Sequence, residues 1–553
     1  MSGDSMPWGA GHVMDQRTRL ALVLSGGASL GAYTAGVVTE LLEALTADSG
    51  SGLTLDVIVG SSAGAVNAAL AARAMTVNPE LLPFLRKTWV EALDATTLLD
   101  PDRPDRAGVL DASAIEELSR ALITAEPASD DRPMGGVGNR LRLGITLSNL
   151  TGVPYESRYS FRNAPGRPGG IRVHRDAVSF ELEAPVPARD PVWEEVRRSA
   201  VASAAFPFAF PPVPLTRASS AYPGARLGDD VPGHEMWFTD GGLFANQPIG
   251  LAKRLVEGFA DYRSSEWRFI LVDPDLDVDA SAPSPPTSIA GVAGALTRAV
   301  LGQAAAMDWA RASETNARVA VFEALVDRLP ELADGLCDPD ALELGHQIGL
   351  LAERVAESEA ERRGRTDDDG PPDALDEALS RIERDPRFAA VLARVRTRAA
   401  RTRLAKLIYI LEEASDLRDK QVLPLYLVSP ESGERLAGDF LGGFGGFLSR
   451  DWRMHDFTAG RRDGARLLTR HFSDVLDYHG DPDIFRLSEP GPTTLAAAPA
   501  AVRGRLDAFI DRETDRVLRS IRPGPLVSAL GWVWKPAVRR WVRRRVHETL
   551  ARS

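Results

Sequence analysis

Twice within its first 70 residues this chain runs from a β-type apolar segment into small residues and out again into a helical pattern. The first pass is Leu20-Ala-Leu-Val-Leu-Ser-Gly-Gly-Ala-Ser-Leu-Gly-Ala-Tyr33 and the second is Leu55-Asp-Val-Ile-Val-Gly-Ser-Ser-Ala-Gly-Ala-Val-Asn67. Strand, tight turn and helix in repeated succession restrict the fold to an α/β arrangement with a parallel sheet. The second turn, Gly60-Ser-Ser-Ala-Gly64, fits G-x-S-x-G with Ser62 at its centre. In such an elbow, small neighbours such as Gly60 and Gly64 let the backbone turn sharply and leave the hydroxyl exposed. The first turn would offer backbone N–H groups at a helix N-terminus, where negative charge is favoured. A nucleophile beside an anion cradle is the equipment of acyl transfer through a tetrahedral oxyanion.

Asp240 follows the apolar run Met236-Trp-Phe-Thr and precedes Gly241-Gly242, which places it in a tight turn at a strand end. With this third motif the chain resembles the patatin-like lipid acyl hydrolases. Their glycine-rich oxyanion loop, serine elbow and Asp-Gly-Gly turn occur here in the family's order. Asn246-Gln-Pro248 resembles the family's N-x-P segment, and Ser203-Ala-Ala-Phe-Pro-Phe-Ala-Phe-Pro-Pro-Val213 resembles its S-x-A-x-P-x-x-F-x-P stretch. The resemblance spans residues 18–275. It implies a three-layer core with a mostly parallel sheet and a Ser62–Asp240 dyad, with Ser62 as nucleophile and Asp240 as its base. It also implies an oxyanion hole drawn from Gly26, Gly27, Ala28 and Gly31, a lipid or phospholipid substrate, and no metal or other cofactor. One departure stands out. The family loop carries a third glycine and a cation where this chain has Ala28 and Leu30. The loop must then be shaped another way, or the substrate must be less charged.

Beyond this core, Pro274–Ser288 reads as a linker. Ser288–Arg363 and Asp373–Asp416 read as helical, separated by the charged loop Gly364–Pro372, and Val422–Val428 reads as a strand returning to the sheet. The expected organisation is a disordered tail over 1–17, a catalytic core over 18–275 and a helical insertion over 276–420. A segment over 421–500 completes the core, and C-terminal helices occupy 501–553. Within the fourth segment, the glycine- and aromatic-rich stretch Gly438–Gly464 resembles one found in some bacterial members of the family. A loop packing aromatics onto the core is the expectation there, with a lipid-contacting lid as the alternative.

Composition narrows the function classes. The formal net charge of −12 argues against a nucleic-acid partner. Only five of the 65 Lys and Arg residues are lysine, a bias that fits a GC-rich bacterial gene. A single cysteine, Cys337, rules out an internal disulfide and a cysteine-based zinc site. With no signal-peptide pattern and no apolar run near the ~20 residues of a spanning helix, the expected location is cytoplasmic, with peripheral contact at the membrane. That contact is expected from residues 526–553. Val538, Trp541, Val542, Val546 and Leu550 fit one face of a helix, and Arg539, Arg540, Arg543, Arg544 and Arg545 ride beside it. Such a basic amphipathic segment suits an anionic membrane surface, or else docks on the acidic body.

Alternatives to the lipid hydrolase are another serine esterase or an acyltransferase on the same core, and a catalytically weak lipid-binding protein. A Ser–acid–His triad using Ser62, Asp240 and a later histidine has the order of an α/β-hydrolase. The elbow falls on the second strand, too early for that fold.

Overall fold

The computed structural model describes residues 18–47, 52–99, 110–161, 164–207, 209–227, 233–262, 265–275, 289–335, 342–362, 374–395, 397–415, 422–431, 434–480, 485–487, 493–520 and 531–550. The expected tail over 1–17, most of the linker before residue 288, the charged loop 364–372 and Cys337 lie outside these residues.

The chain forms two compact units, residues 1–308 with 425–553, and residues 309–424. The first is built on an eight-stranded sheet. Its elements in chain order are β1 (Thr18–Leu24), α1 (Gly31–Ala47), β2 (Leu53–Gly60), α2 (Ala63–Thr76), α3 (Ala112–Ile123), β3 (Val137–Phe161), β4 (Ala164–Glu183), α4 (Val192–Ser203), β5 (Val213–Arg217), β6 (His234–Thr239), α5 (Ile249–Glu257) and β7 (Trp267–Val272). The strand order is β5-β6-β3-β2-β1-β7, followed by a strand from residues 425–428, with β4 paired to β3. Pairing is parallel from β3 through β2 and β1 to β7, and antiparallel among β4, β3, β6 and β5. The parallel strands β1, β2 and β7 are covered on both faces, which is why they read as nearly continuous apolar runs. Three ionic residues lie in these strands, and each has a partner: Arg268 of β7 donates to Asp474 at 2.9 Å, and Arg19 of β1 pairs with Asp56 of β2. Arg19 donates to Asp56 at 2.6 Å, and its guanidinium lies over the Phe259 ring, 4.1 Å from the centroid. Residues 79–98 form a series of short turns with a π-helical segment at Lys87–Ala92.

The second unit is helical: most of α6 (Ile289–Gly335), α7 (Leu342–Arg362), α8 (Ala374–Arg384), α9 (Pro386–Ala393) and α10 (Arg398–Ala414). It has a core of its own, with Val319, Phe322, Ile382, Phe388, Leu404, Ile408 and Tyr409 buried together. Glu412 is buried among them and is neutralised by Arg381 at 2.6 Å and Arg387 at 3.3 Å.

After this unit the chain re-enters the sheet as β8 (Leu425–Val428), parallel to β7. Then come α11 (Arg450–His471), α12 (Ala500–Ser520) and α13 (Gly531–Leu550). The glycines of α11 made its sequence look like loop, and their purpose is a close helix crossing with α1. A Cβ at Gly36 would lie 2.1 Å from the Phe457 carbonyl oxygen, and one at Gly460 would lie 2.0 Å from that of Tyr33. Glycine on both helices lets the backbones touch. Tyr33 seals the crossing by donating to buried Asp463 at 3.0 Å.

The C-terminal helix corrects one reading of its stripe. Val538, Val542 and Val546 are half-buried, but Trp541 is 61% exposed. Two of the arginines and the histidine of α13 instead face α12, in a ladder of Arg539 with Asp515, Arg543 with Asp511 and His547 with Asp507.

Candidate active site

Ser62 sits between the end of β2 and the start of α2 with φ 51° and ψ −123°. A non-glycine residue at positive φ is strained, and such strain survives only where the surroundings enforce it. Here they do. A Cβ on Gly60 would lie 2.3 Å from the Gly64 carbonyl oxygen, and one on Gly64 would lie 2.3 Å from that of Leu24, so neither position admits a side chain. The Ser62 N–H donates to Ser203 Oγ at 2.9 Å, which fixes the elbow from α4. Ser62 is 8% exposed, and its Oγ donates to Asp240 Oδ2 at 2.6 Å.

Asp240 ends β6. Its other oxygen accepts the Gly242 N–H at 2.7 Å, and its own carbonyl accepts from Ser148 Oγ at 2.7 Å. Burial pushes the carboxyl up to about 6, against the opposing pull of the Ser62 and Gly242 hydrogen bonds. A carboxylate held there is a stronger proton acceptor than one in water.

The glycine loop after β1 lies beside the elbow. Of its four expected oxyanion donors, two are otherwise engaged. The Gly26 N–H donates to Asn246 Oδ1 at 3.1 Å. The Gly31 N–H closes the 3₁₀ turn onto the Ala28 carbonyl. Gly31 is glycine for a packing reason, since a Cβ there would lie 2.3 Å from the Trp89 ring. The N–H groups of Gly27 and Ala28 have no partner among the described residues. Ala28 has φ 49°, so the position is left-handed and would suit the family's glycine. Leu30 is buried, 1% exposed, in the apolar core.

Residues 22–253 match the family model described as patatin-like phospholipase. This segment is a patatin-like phospholipase domain. Residues 389–477 match a second family, described as a protein of unknown function. An uncharacterized protein of Sinorhizobium fredii, y4iI, is 26% identical over an alignment 275 residues long, with 38% of this chain and 38% of that protein covered. Two solved structures are similar at low scores. VipD from Legionella pneumophila has a TM-score of 0.25 and 11% identity, covering 74% of this chain and 93% of that one. The ExoU–SpcU complex from the type III secretion system of Pseudomonas aeruginosa has a TM-score of 0.17 and 14% identity, with coverages of 86% and 90%.

The patatin-like domain opens at Ser62 onto a cavity of about 400 Å³. Its walls are mainly apolar, including Val66, Trp89, Leu118, Leu122, Phe206 and Phe210. Phe444 and Phe447, outside the matched domain, complete it. The described histidines have other surroundings. His174, His234, His455, His479 and His547 make their polar contacts to Asn149, Ser219, Asp456, Asp477 and Asp507, and no histidine among the described residues bonds Ser62 or Asp240. Among the described residues, no group of three His, Cys, Asp or Glu side chains could hold a metal ion. Ser203, Ser148 and Asn246 are supports that the sequence did not single out for a role. Ser203 and Asn246 stood inside family motifs, which was the signal available. Ser148 lay in a strand with nothing to mark it.

Proposed function

We propose that this protein hydrolyses acyl esters of lipids through an acyl-enzyme on Ser62. The patatin-like domain supports lipid hydrolysis at the coarser level. The observation that carries the finer reading is the 2.6 Å bond from Ser62 Oγ to a buried carboxylate, at the mouth of an apolar cavity. As Ser62 Oγ attacks the ester carbonyl, its proton passes to Asp240 Oδ2. The carbonyl oxygen becomes an oxyanion and is received by the N–H groups of Gly27 and Ala28. Collapse of the tetrahedral species breaks the ester C–O bond, and Asp240 returns the proton to the leaving alcohol. Water then attacks the acyl-enzyme with Asp240 again taking the proton, the acyl C–Oγ bond breaks, Asp240 returns the proton to Ser62 Oγ, and the fatty acid leaves. The apolar cavity at Ser62 favours long acyl chains over short soluble esters and over the non-lipid esterase alternative.

The test is covalent labelling by a long-chain fluorophosphonate, located by peptide mass spectrometry, beside a panel of esters of increasing chain length. Label on Ser62 with kcat/KM rising with chain length supports the reading. Turnover of alcohol acceptors in preference to water would favour the acyltransferase, and a failure to label would favour the lipid-binding protein.

Substrate of this kind resides in a bilayer, and α13 offers a means of reaching it. Trp541 projects outward with Arg540 and Arg544 exposed beside it. An aromatic ring flanked by cations suits an anionic lipid surface, where each cation contributes about 1 kcal/mol. The side chains of Trp532 and Trp534, and residues 526–530, lie outside what is described. Among the described residues no helix is long and apolar enough to cross a membrane. Replacing Arg540 and Arg544 by Glu together with Trp541 by Ala is expected to lower sedimentation with anionic vesicles at low salt, leaving turnover of a soluble ester unchanged. Undiminished sedimentation of the variant would remove this role from α13.

A further inference from the structure

The stretch Gly438–Leu448 lies outside the patatin-like match and inside the segment that matches a family of unknown function. Its backbone reaches the oxyanion loop. The Ser29 N–H donates to the Gly443 carbonyl at 2.8 Å, and Ser29 Oγ donates to the same carbonyl at 2.5 Å. Ser29 Oγ in turn accepts the Gly446 N–H at 3.0 Å. Ser29 is fully buried and lies next to Ala28, one of the two loop residues whose N–H groups have no other partner. Gly443 is in contact with the loop as well, since a Cβ there would lie 3.1 Å from the Gly27 carbonyl oxygen.

This stretch is itself held rigidly in an unusual shape. Leu441, Gly442 and Gly443 are left-handed in succession, with φ of 61°, 64° and 82°. A leucine in that region is strained and must be held by what surrounds it. Two fully buried ionic side chains of α11 do the holding. Asp456 accepts the Ala437 and Gly438 N–H groups at 2.7 and 2.9 Å. Arg453 donates to the Gly446 and Phe447 carbonyls at 3.0 and 3.2 Å and, on its other edge, to the Val90 carbonyl at 3.1 Å. Between these anchors Phe444 reaches the cavity and meets Phe206 edge to face, with ring centroids 5.1 Å apart.

We propose that residues 437–456 are a brace that sets the oxyanion loop, with Ser29 as the positioning residue through which it acts. An oxyanion donor works only when aimed at the place where charge develops, so error of a few tenths of an ångström in the loop is an error in the transition state. Where the family has a third glycine and a cation, this chain has Ala28 and Leu30, and the loop is shaped from outside by Gly443 and Gly446. In this chain, part of the segment that matches the family of unknown function would thereby complete the reacting centre beside Ser62. The proposal rests on the reading of Ser62 as nucleophile and of Gly27 and Ala28 as oxyanion donors.

The experiment measures steady-state kinetics, thermal stability and inhibition by a long-chain trifluoromethyl ketone, which adds Ser62 as a tetrahedral hemiketal. Binding of the product fatty acid gives the ground-state comparison. Losing one oxyanion donor outright costs about 10²–10³ in kcat, and misplacing donors costs less. Ser29→Ala is therefore expected to lower kcat by about 10- to 30-fold, weaken the ketone by the same factor and leave KM and fatty-acid affinity within about threefold. Gly443→Ala, which presses a methyl group on the Gly27 carbonyl, should act in the same direction. It carries the test if Ser29→Ala does not fold. A folded variant of either kind with wild-type kcat and ketone affinity overturns the brace. So does a variant whose only change is a lower melting temperature, or whose fatty-acid affinity falls as far as its ketone affinity. Ser62→Ala is assayed alongside. Activity surviving that change defeats the underlying reading of the site, whereas activity that depends on Ser62 and is indifferent to Ser29 defeats the brace alone.

Discussion

Two aspartates of the first unit are buried to the same degree and put to different use. Asp240 and Asp456 are both essentially inaccessible, and burial raises the carboxyl of each. Asp456 spends its oxygens on two backbone N–H groups and on His455 Nδ1, 3.2 Å away, all of them fixed partners. Asp240 gives one oxygen to a backbone N–H and the other to a serine hydroxyl whose proton can leave. Burial and a raised proton affinity are common to both. On the proposed mechanism, Asp240 would be a base and Asp456 a clamp because one partner of Asp240 is a hydroxyl at the mouth of the apolar cavity.

The comparison breaks first at Ser62. Ser62→Ala removes that partner, and ester turnover should fall by at least about four orders of magnitude. Stability should change by no more than about 1 kcal/mol, because the substitution is small and lies in a turn. Retention of turnover on a long-chain ester would end the reading of Ser62 as nucleophile.

Asparagine at the two aspartates is the sharper contrast. Asp240→Asn should cost about two to four orders of magnitude in kcat. Asp456→Asn turns an amide N–H against a backbone N–H and should cost about 1–3 kcal/mol of stability, read by urea denaturation, with a smaller loss of turnover. If Asp456→Asn were the more damaging to kcat in folded protein, the two roles would have to be exchanged.

The pH profile follows from the carboxyl near 6. As base, Asp240 must be ionised, so kcat/KM should fall about tenfold per pH unit below 6 and level off above it. Stability runs the other way. With the folded carboxyl raised above its unfolded value, the Asp240 contribution is complete below about pH 4 and is lost as pH rises through 6, by roughly 3 kcal/mol. Asp240→Asn should abolish that slope. An equal pH dependence of stability in wild type and variant would count against the raised carboxyl.

Ala28→Gly is the mildest change. It relieves a left-handed alanine and should stabilise the protein by about 0.5–1 kcal/mol, with kcat within about threefold of wild type. Destabilisation on this change would mean that the methyl group packs usefully against its neighbours.

The parallel strands and the elbow were legible because their signals are local. An apolar run, two glycines and a serine between them carry their meaning within about ten residues. Asp240 was legible for the same reason, as a turn residue ahead of Gly241-Gly242. What stayed hidden depends on partners far away in the chain. Gly460 and Gly464 read as loop because glycine disfavours helices, and only the touching backbone of α1 explains them inside α11. Residues 167–172 carry no apolar alternation, yet they pair antiparallel with residues 154–159, an extension that hydrogen bonding supports without apolar patterning. Gly26 and Gly31 looked equivalent to Gly27 until Asn246 and Trp89, both remote, came into contact with them. Trp541 joined an apolar stripe on paper because periodicity does not say which face a partner helix covers, and here Arg539 and Arg543 face α12 while Trp541 is exposed.

The contact between α1 and α11 bears on when this molecule becomes competent during its synthesis. A chain leaves the ribosome from its N-terminus, so β1, α1 and the Ser62 elbow emerge long before residues 437–471. Until those arrive, the groove prepared by Gly36 is bare and the Ser29 hydroxyl has neither Gly443 nor Gly446 beside it. The loop to be closed spans more than 400 residues, and such distant contacts form late. If the proposed brace holds, a fragment that stops short of residue 443 would carry Ser62 and Asp240 without the contacts that set the loop beside them. For a protein whose proposed substrate is the lipid of a membrane, that delay would confine attack to chains synthesised past residue 471.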